Sequence, residues 1–285
     1  SQPGLNISPI ICWDEFFRNT LHYCRNPEEN VMTNRMLALS LALPMALITA
    51  TAGADALGVW IGANYWDFDV SGTARYKSKN SADNIDVNDD LGYDDDSVGS
   101  FYAIFEHPAP LIPNIKVVST NIDDDANGTL SRDFTWGDVD FTVNEDVQSD
   151  VQLDQIDMAL YWRILDNVAN LDIGINAKYI DMDGTITGAT SGSDSASVSG
   201  LVPMLYAGVG IDLPLTGLGI SADGAYIGYD GSTFYDFTAR ATYDSPWFLG
   251  VEAGYRVLKL DLDDFDDSYA DLKFDGPYLG AYVHF

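Results

Sequence analysis

The stretch Phe234-Tyr-Asp-Phe-Thr-Ala-Arg-Ala-Thr-Tyr243 decides the fold class of this chain. Every second residue, Tyr235, Phe237, Ala239, Ala241 and Tyr243, is apolar or aromatic, and the intervening Asp236, Thr238, Arg240 and Thr242 are polar. Successive side chains of a β-strand point to opposite faces, so this spacing makes a strand with one apolar and one polar face. Residues 171–179 repeat the pattern, with Leu171, Ile173, Ile175, Ala177 and Tyr179 opposed by Asp172, Gly174, Asn176 and Lys178. Residues 247–257 repeat it again, with Trp247, Leu249, Val251, Ala253, Tyr255 and Val257 opposed by Gly250, Glu252, Gly254 and Arg256.

Alternation of this kind suits a soluble β-sandwich as well as a transmembrane β-barrel. Two features favour the barrel. The apolar rows begin or end in Trp or Tyr, as a lipid-facing band between aromatic girdles does, and the polar rows carry charges and glycines at mid-strand. Strands are expected near 57–76, 98–106, 114–122, 151–165, 169–182, 199–213, 217–229, 234–244, 247–262 and 272–285. That is about ten, or eight if 98–122 is not two strands. Short turns at 107–113, 166–170, 213–217 and 244–247 contain Pro, Asn or Gly, which favour tight reversal. Most of the other connections, 77–97, 123–150, 183–198 and 262–271, read as long loops. The expectation is an all-β, closed antiparallel transmembrane β-barrel, preceded by a signal peptide.

Composition supports an ordered envelope protein. The 285 residues hold 44 acidic and 14 basic side chains, a formal net charge of −30, which repels nucleic-acid phosphates. An aromatic fraction of 12% is too high for a disordered acidic chain. Both cysteines, Cys12 and Cys24, precede the barrel segments, so no disulfide or thiolate metal site is expected in them. Arg35, the apolar run from Met36 to Ile48, and Ala52-Gly53-Ala54 form a signal-peptide pattern, since signal peptidase accepts small residues beside the scissile bond. The run is shorter than the roughly 20 apolar residues that span a bilayer, and Pro44 interrupts it. Residues 32–54 are therefore read as the signal peptide, 1–31 as an upstream extension, and 55–285 as the barrel.

The last strand, Gly276-Pro-Tyr-Leu-Gly-Ala-Tyr-Val-His-Phe285, resembles the terminal strand of bacterial outer-membrane barrels, with a final Phe and apolar residues at Leu279, Ala281 and Val283. Val283 stands where that class commonly has an aromatic. Together with Gly58-Val-Trp-Ile-Gly-Ala-Asn-Tyr-Trp66, the chain is similar to small OmpW-like barrels and to the outer-membrane family OMP_w_GlyGly. The resemblance implies an outer-membrane location, recognition of Phe285 by the barrel-assembly machinery, and contact with outer-membrane lipid and lipopolysaccharide. It does not imply an activity.

Candidate chemistry lies in the lumen and the loops. Asp157, Arg163, Asp172, Lys178, Asp223, Asp236, Arg240, Glu252 and Arg256 fall on polar rows and are expected to point inward. Buried charges are costly unless paired, so a mutually neutralising network that fills the barrel is expected. A diffusion pore for small solutes with a charged constriction is the alternative. The three histidines, His22, His107 and His284, lie upstream of the signal or at the ends of strands away from the long loops. A His-dependent hydrolase is therefore not expected. The many aspartates leave a carboxylate-only mechanism open without singling out a residue, and the chain is read as non-enzymatic. Asp123-x-Asp125-x-Asn127-Gly128 matches the start of a calcium loop, although Phe134 stands where its bidentate Glu belongs. Binding of Ca²⁺ or Mg²⁺ by the acidic loops is weighed against a plain solvated rim.

Overall fold

The computed structural model describes residues 11–12, 57–78, 80–109, 111–265 and 268–285. The expected signal peptide at 32–54, and the upstream extension apart from 11–12, lie outside the described residues.

Ten long antiparallel strands follow one another: β1 Gly58–Tyr76, β2 Asp96–Glu106, β3 Asn114–Thr129, β4 Asp146–Asp166, β5 Ala169–Gly188, β6 Gly192–Leu213, β7 Leu218–Tyr229, β8 Ser232–Asp244, β9 Leu249–Phe265 and β10 Ser268–His284. Each pairs with its neighbours in sequence, and β10 pairs with β1 to close the barrel, for example Tyr282 against Gly62 and Tyr278 against Trp66. Backbone bonds between Phe285 and Val59, at 3.0 and 3.1 Å, seal the seam at its first residue. The ladder is interrupted at Gly276 and Pro277, where Pro has no N–H to give. There a Cβ on Gly276 would collide with the backbone of Asp67, so only glycine lets β10 approach β1. The indole Nε1 of Trp66 donates to the Gly276 carbonyl at 3.2 Å.

The end bearing Gly58 and His284 is called the foot, and its turns are short. The opposite end is the crown. Here the structure corrects the expected loop boundaries, because residues 123–129, 146–150, 183–188 and 192–198 continue as strand. Residues 192–198 of the expected loop at 183–198 are the upper part of β6. Loops remain between β1 and β2, with a short strand Ile85–Asp86 against Thr73 and Ala74, and between β3 and β4, where Phe134–Trp136 pairs with Val139–Phe141. Ile11–Cys12 pairs parallel with Val198 and Ser199 of β6.

Every one of the ten strands turns a large apolar side chain outward at mid-height. Ile61, Phe101, Ile115, Met158, Ile175, Leu205, Ile220, Phe237, Val251 and Leu279 are all exposed. A continuous ring of this kind is unfavourable in water and suits the hydrocarbon of a bilayer. Above it the polarity inverts while the strands keep their phase. On β1 the outward row runs Ile61, Ala63, Tyr65 and then Asp67, Asp69, and the inward row runs Asn64 and then Trp66, Phe68, Val70. The crown therefore has an apolar interior. Trp66 packs on Phe68 at 4.8 Å between ring centres and Phe68 on Phe274 at 5.8 Å. Leu153, Ile122, Leu258 and Leu272 are buried, and above them Phe134 stacks on Phe141 at 5.1 Å.

Candidate functional site: the lumen network

Inside the apolar ring the lumen is crossed by charged side chains that the strands deliver from their inward rows. The Lys178 side chain on β5 is fully buried, and its Nζ lies 2.6 Å from Asp157 on β4 and 2.9 Å from Asp236 on β8. Its third donor reaches Gln155 Oε1 at 3.1 Å, which uses every N–H of the ammonium. Arg256 on β9 holds Asp236 with Nε and Nη2, at 3.0 and 2.7 Å, and donates to Thr120 Oγ1 at 3.2 Å. Its guanidinium also lies 4.6 Å over the Trp66 ring, where the charged network meets the apolar crown. A second group centres on Asp223 of β7, which pairs with Lys116 of β3 and Arg240 of β8 and accepts from Tyr206 Oη at 3.3 Å. Arg240 also faces Glu252 at 3.9 Å. Nearer the foot, Arg163 bridges Glu106 at 2.6 Å and Asp172 at 3.0 Å, and Tyr161 donates to Glu106 at 2.7 Å.

All nine expected lumen charges thus lie in the barrel, joined in three groups. Two pairs, Asp157 with Lys178 and Arg163 with Asp172, are direct cross-strand neighbours in the β4–β5 register. Asp223 with Arg240, Arg240 with Glu252 and Asp236 with Arg256 are diagonal neighbours on adjacent strands. Across the lumen, Lys178 to Asp236 joins β5 to β8, and Lys116 to Asp223 joins β3 to β7. The sequence reading missed Lys116 and Glu106. Lys116 had a usable signal, since it stands between the apolar Ile115 and Val117. Glu106 sits at the end of β2, where alternation gives no leverage.

Such pairing offsets the desolvation of a charge best where the remaining donors and acceptors are also satisfied, as at Lys178. The buried Nε of Arg240, by contrast, has no partner among the described residues. The arrangement leaves little space. A cavity of about 80 Å³ remains among Asn64, Tyr102, Lys116, Tyr206, Asp223 and Arg240.

The other expected site residues fall elsewhere. Asp123, Asp125 and Asn127 sit on the outward row of β3, not in a loop. Side chains two apart on a strand are separated by about 6.5 Å and point in parallel, so they do not wrap a cation. Phe134, at the position of the missing Glu, is buried against Phe141. Among the described residues no group of three or more His, Cys, Asp or Glu side chains is arranged to hold a metal ion. In the β1–β2 loop, Asp90 is a structural anchor that accepts from the Asp86 amide at 3.0 Å, Arg132 at 3.0 Å and Ser131 at 2.9 Å. Burial opposes its charge, but these donors outweigh that and hold its carboxyl below the usual range. His107 and His284 lie at the foot, where His107 accepts from the Ala109 amide at 3.2 Å and His284 lies 3.6 Å from Asp244.

Comparison with known proteins agrees on architecture. The outer-membrane protease OmpT of Escherichia coli matches over 80% of this chain and 97% of its own, with a TM-score of 0.52 at 9% sequence identity. The translocator domain of the autotransporter NalP from Neisseria meningitidis covers 88% of this chain and 94% of its own, at 13% identity and a TM-score of 0.41. Ail, the attachment invasion locus protein of Yersinia pestis, covers 80% and 98%, at 12% identity and a TM-score of 0.33. The fold is that of an outer-membrane β-barrel. At these identities the likeness speaks for the fold alone. No protein-family model and no curated protein sequence matches the chain.

Proposed function

We propose that this chain is an integral protein of the bacterial outer membrane, non-enzymatic, with a filled lumen and a crown that serves as its outward-facing surface. The observation that carries the reading is the lumen network. Lys178 is bonded to two opposite walls of the barrel, and the residual cavity of about 80 Å³ is too small for a solute path. Above it the apolar packing of Trp66, Phe68, Phe274 and Leu258 forms a second obstruction. Both histidines among the described residues stand at the foot, far from the acidic crown, which favours a surface role over His-dependent hydrolysis there. Outward carboxylates such as Asp67, Asp154 and Asp181 stand directly above the apolar ring, where lipopolysaccharide phosphates would meet them through bridging divalent cations. The resemblance to OmpW-like barrels rests on β1 and β10, the two strands that close the barrel on each other, and we keep it as a family proposal.

The deciding experiment is conductance of the refolded full chain in a planar bilayer, with insertion checked by its heat-dependent gel migration. The expected result is no current steps, with or without Ca²⁺. Steady, reproducible steps from folded protein would replace this reading with a diffusion pore.

A further inference from the structure

The crown wall is not even in height. β6 pairs with β5 along its whole length, from Gly192 against Gly188 to Ile211 against Ala169. On its other side β6 pairs with β7 only from Leu205, against Tyr226, down to Leu213. The reason is local. Asp230 and Gly231, with φ of 48° and 88°, reverse the chain in a tight β7–β8 hairpin just above the apolar ring. Beyond that hairpin β9 rises past its last β8 partner, Thr233 against Asp261. The crown thus has a notch, one side of which is the upper edge of β6, residues 192–204.

An unpaired strand edge presents a row of backbone N–H and C=O groups ready to pair with another strand, and proteins usually guard such edges with Lys, Pro or a bulge. This edge reads Gly-Ser-Asp-Ser-Ala-Ser-Val-Ser-Gly-Leu-Val-Pro-Met, with one charge, Asp194, and a Pro only near its lower end. Its side chains are small, so a second backbone can approach. Among the described residues, Ile11–Cys12 pairs with it in parallel at Val198 and Ser199, which demonstrates that the edge accepts an extended segment.

We propose that this edge is a strand-addition site for an extended, basic segment of another protein. Backbone pairing supplies the affinity, and the alternating side chains of the guest supply the specificity. The acids around the notch select its charge: Asp230 at the hairpin tip, Asp261 and Asp263 on β9, and Asp181 and Asp183 on the outer face of β5. Guest residues on the inward row continue the apolar lining of the crown beside Val198 and Val202, and those on the outward row carry the positive charges.

The test uses the full chain in detergent micelles and a short fluorescent peptide in which valine alternates with lysine and threonine. Saturable anisotropy is expected, with slowed amide exchange confined to residues 192–204. A peptide of equal charge with proline at alternate positions should not bind, and Ser197→Lys, which repels the guest without removing an N–H, should weaken binding about tenfold. Equal binding of the proline peptide overturns the proposal, because charge alone then suffices. Peptide-free protection of the same residues that grows with protein concentration assigns the edge to a second copy and also overturns it. So does binding seen only in an Ile11→Pro variant, which assigns the edge to the chain's own segment. None of these outcomes depends on whether the lumen conducts.

Discussion

Along β4 the outward row reads Asp146, Gln148, Asp150, Gln152, Asp154 and then Ile156, Met158, Leu160, Trp162. The inward row reads Val147, Ser149, Val151, Leu153 and then Gln155, Asp157, Ala159, Tyr161, Arg163. One strand, unbroken in phase, is a water-facing strand with an apolar inside in the crown and a lipid-facing strand with a charged inside in the ring. The difference teaches that the medium outside decides what the inside must be. In the ring, lipid takes the apolar faces, so the interior is left with polar side chains and is held by paired charges. In the crown, water takes the carboxylates, and the interior is held by ordinary apolar packing. Two cores of opposite chemistry are thus stacked in one barrel, meeting where Arg256 lies over Trp66.

That contrast is open to direct attack, and the largest effect is expected in the ring. Lys178→Ala leaves Asp157 and Asp236 without the cation they share, and should cost about 3–5 kcal/mol, the range for breaking one partner of a buried pair. The urea midpoint of unfolding in detergent measures it. No change would mean the network is not what holds the ring. In the crown, Phe141→Ala removes a buried ring stacked on Phe134 and should cost about 3 kcal/mol. Its effect should appear as faster amide exchange in the β3–β4 loop, with the ring still resistant to SDS. Collapse of both regions together would show that the two cores are one cooperative unit.

A subtler pair lies on the outer face of β10. Leu279→Arg, in the apolar ring, should cost about 2 kcal/mol, because a cation there is partway from the interface to the bilayer midplane. Asp271→Arg, higher on the same face, should cost no more than about 1 kcal/mol, because it stays in water and loses only an exposed ion pair with Lys259. Equal effects would erase the boundary between ring and crown.

The smallest effect is a pH dependence confined to the crown. Glu145 accepts from the hydroxyls and amides of Ser191 and Thr190, tying the β3–β4 loop to the β5–β6 hairpin. These bonds, led by that of the Ser191 hydroxyl, favour its charged form and lower its carboxyl from 4.5 to about 2. A depressed carboxylate contributes stability that is complete above its unfolded value and fades as pH falls through the folded one. Exchange at Thr190 and Ser191 should therefore quicken between pH 4.5 and about 2, leaving the ring unchanged. In Glu145→Gln the same quickening should be present at neutral pH.

The expected strands match the ring closely and fall short in the crown, for a physical reason. The sequence signature of a strand here is an apolar outward row bounded by aromatics, and in the crown those rows become aspartates. Residues 123–129 look like an acidic loop until Ile122, Asp124 and Ala126 are seen as the inward row of a strand whose outward row is Asp123, Asp125 and Asn127. The calcium-loop spacing arose from that same period of two. The lumen charges were legible because a charge at mid-strand opposite an apolar row has only one place to go.

By itself the sequence determined the alternation, and with it the lipid face and which charges point inward. These are local consequences of backbone geometry. The choice of ten strands over eight came from the structure. Nor did the sequence determine the pairing of Arg163 with Asp172. The β4–β5 register set at the foot turn shifts between Leu165 and Arg163, and without that bulge Ile164 would face Asp172. Only closure of the barrel decided that Lys178 meets Asp236, that Lys116 meets Asp223, and that Arg256 reaches Thr120 on the far wall. Those contacts join strands that are not neighbours, so they depend on how strand tilt and stagger curve the sheet onto itself. The notch beside β6 belongs to the same class. Each strand length is local, but an edge left unpaired by the neighbouring strand exists only once a tall strand and a short one stand side by side.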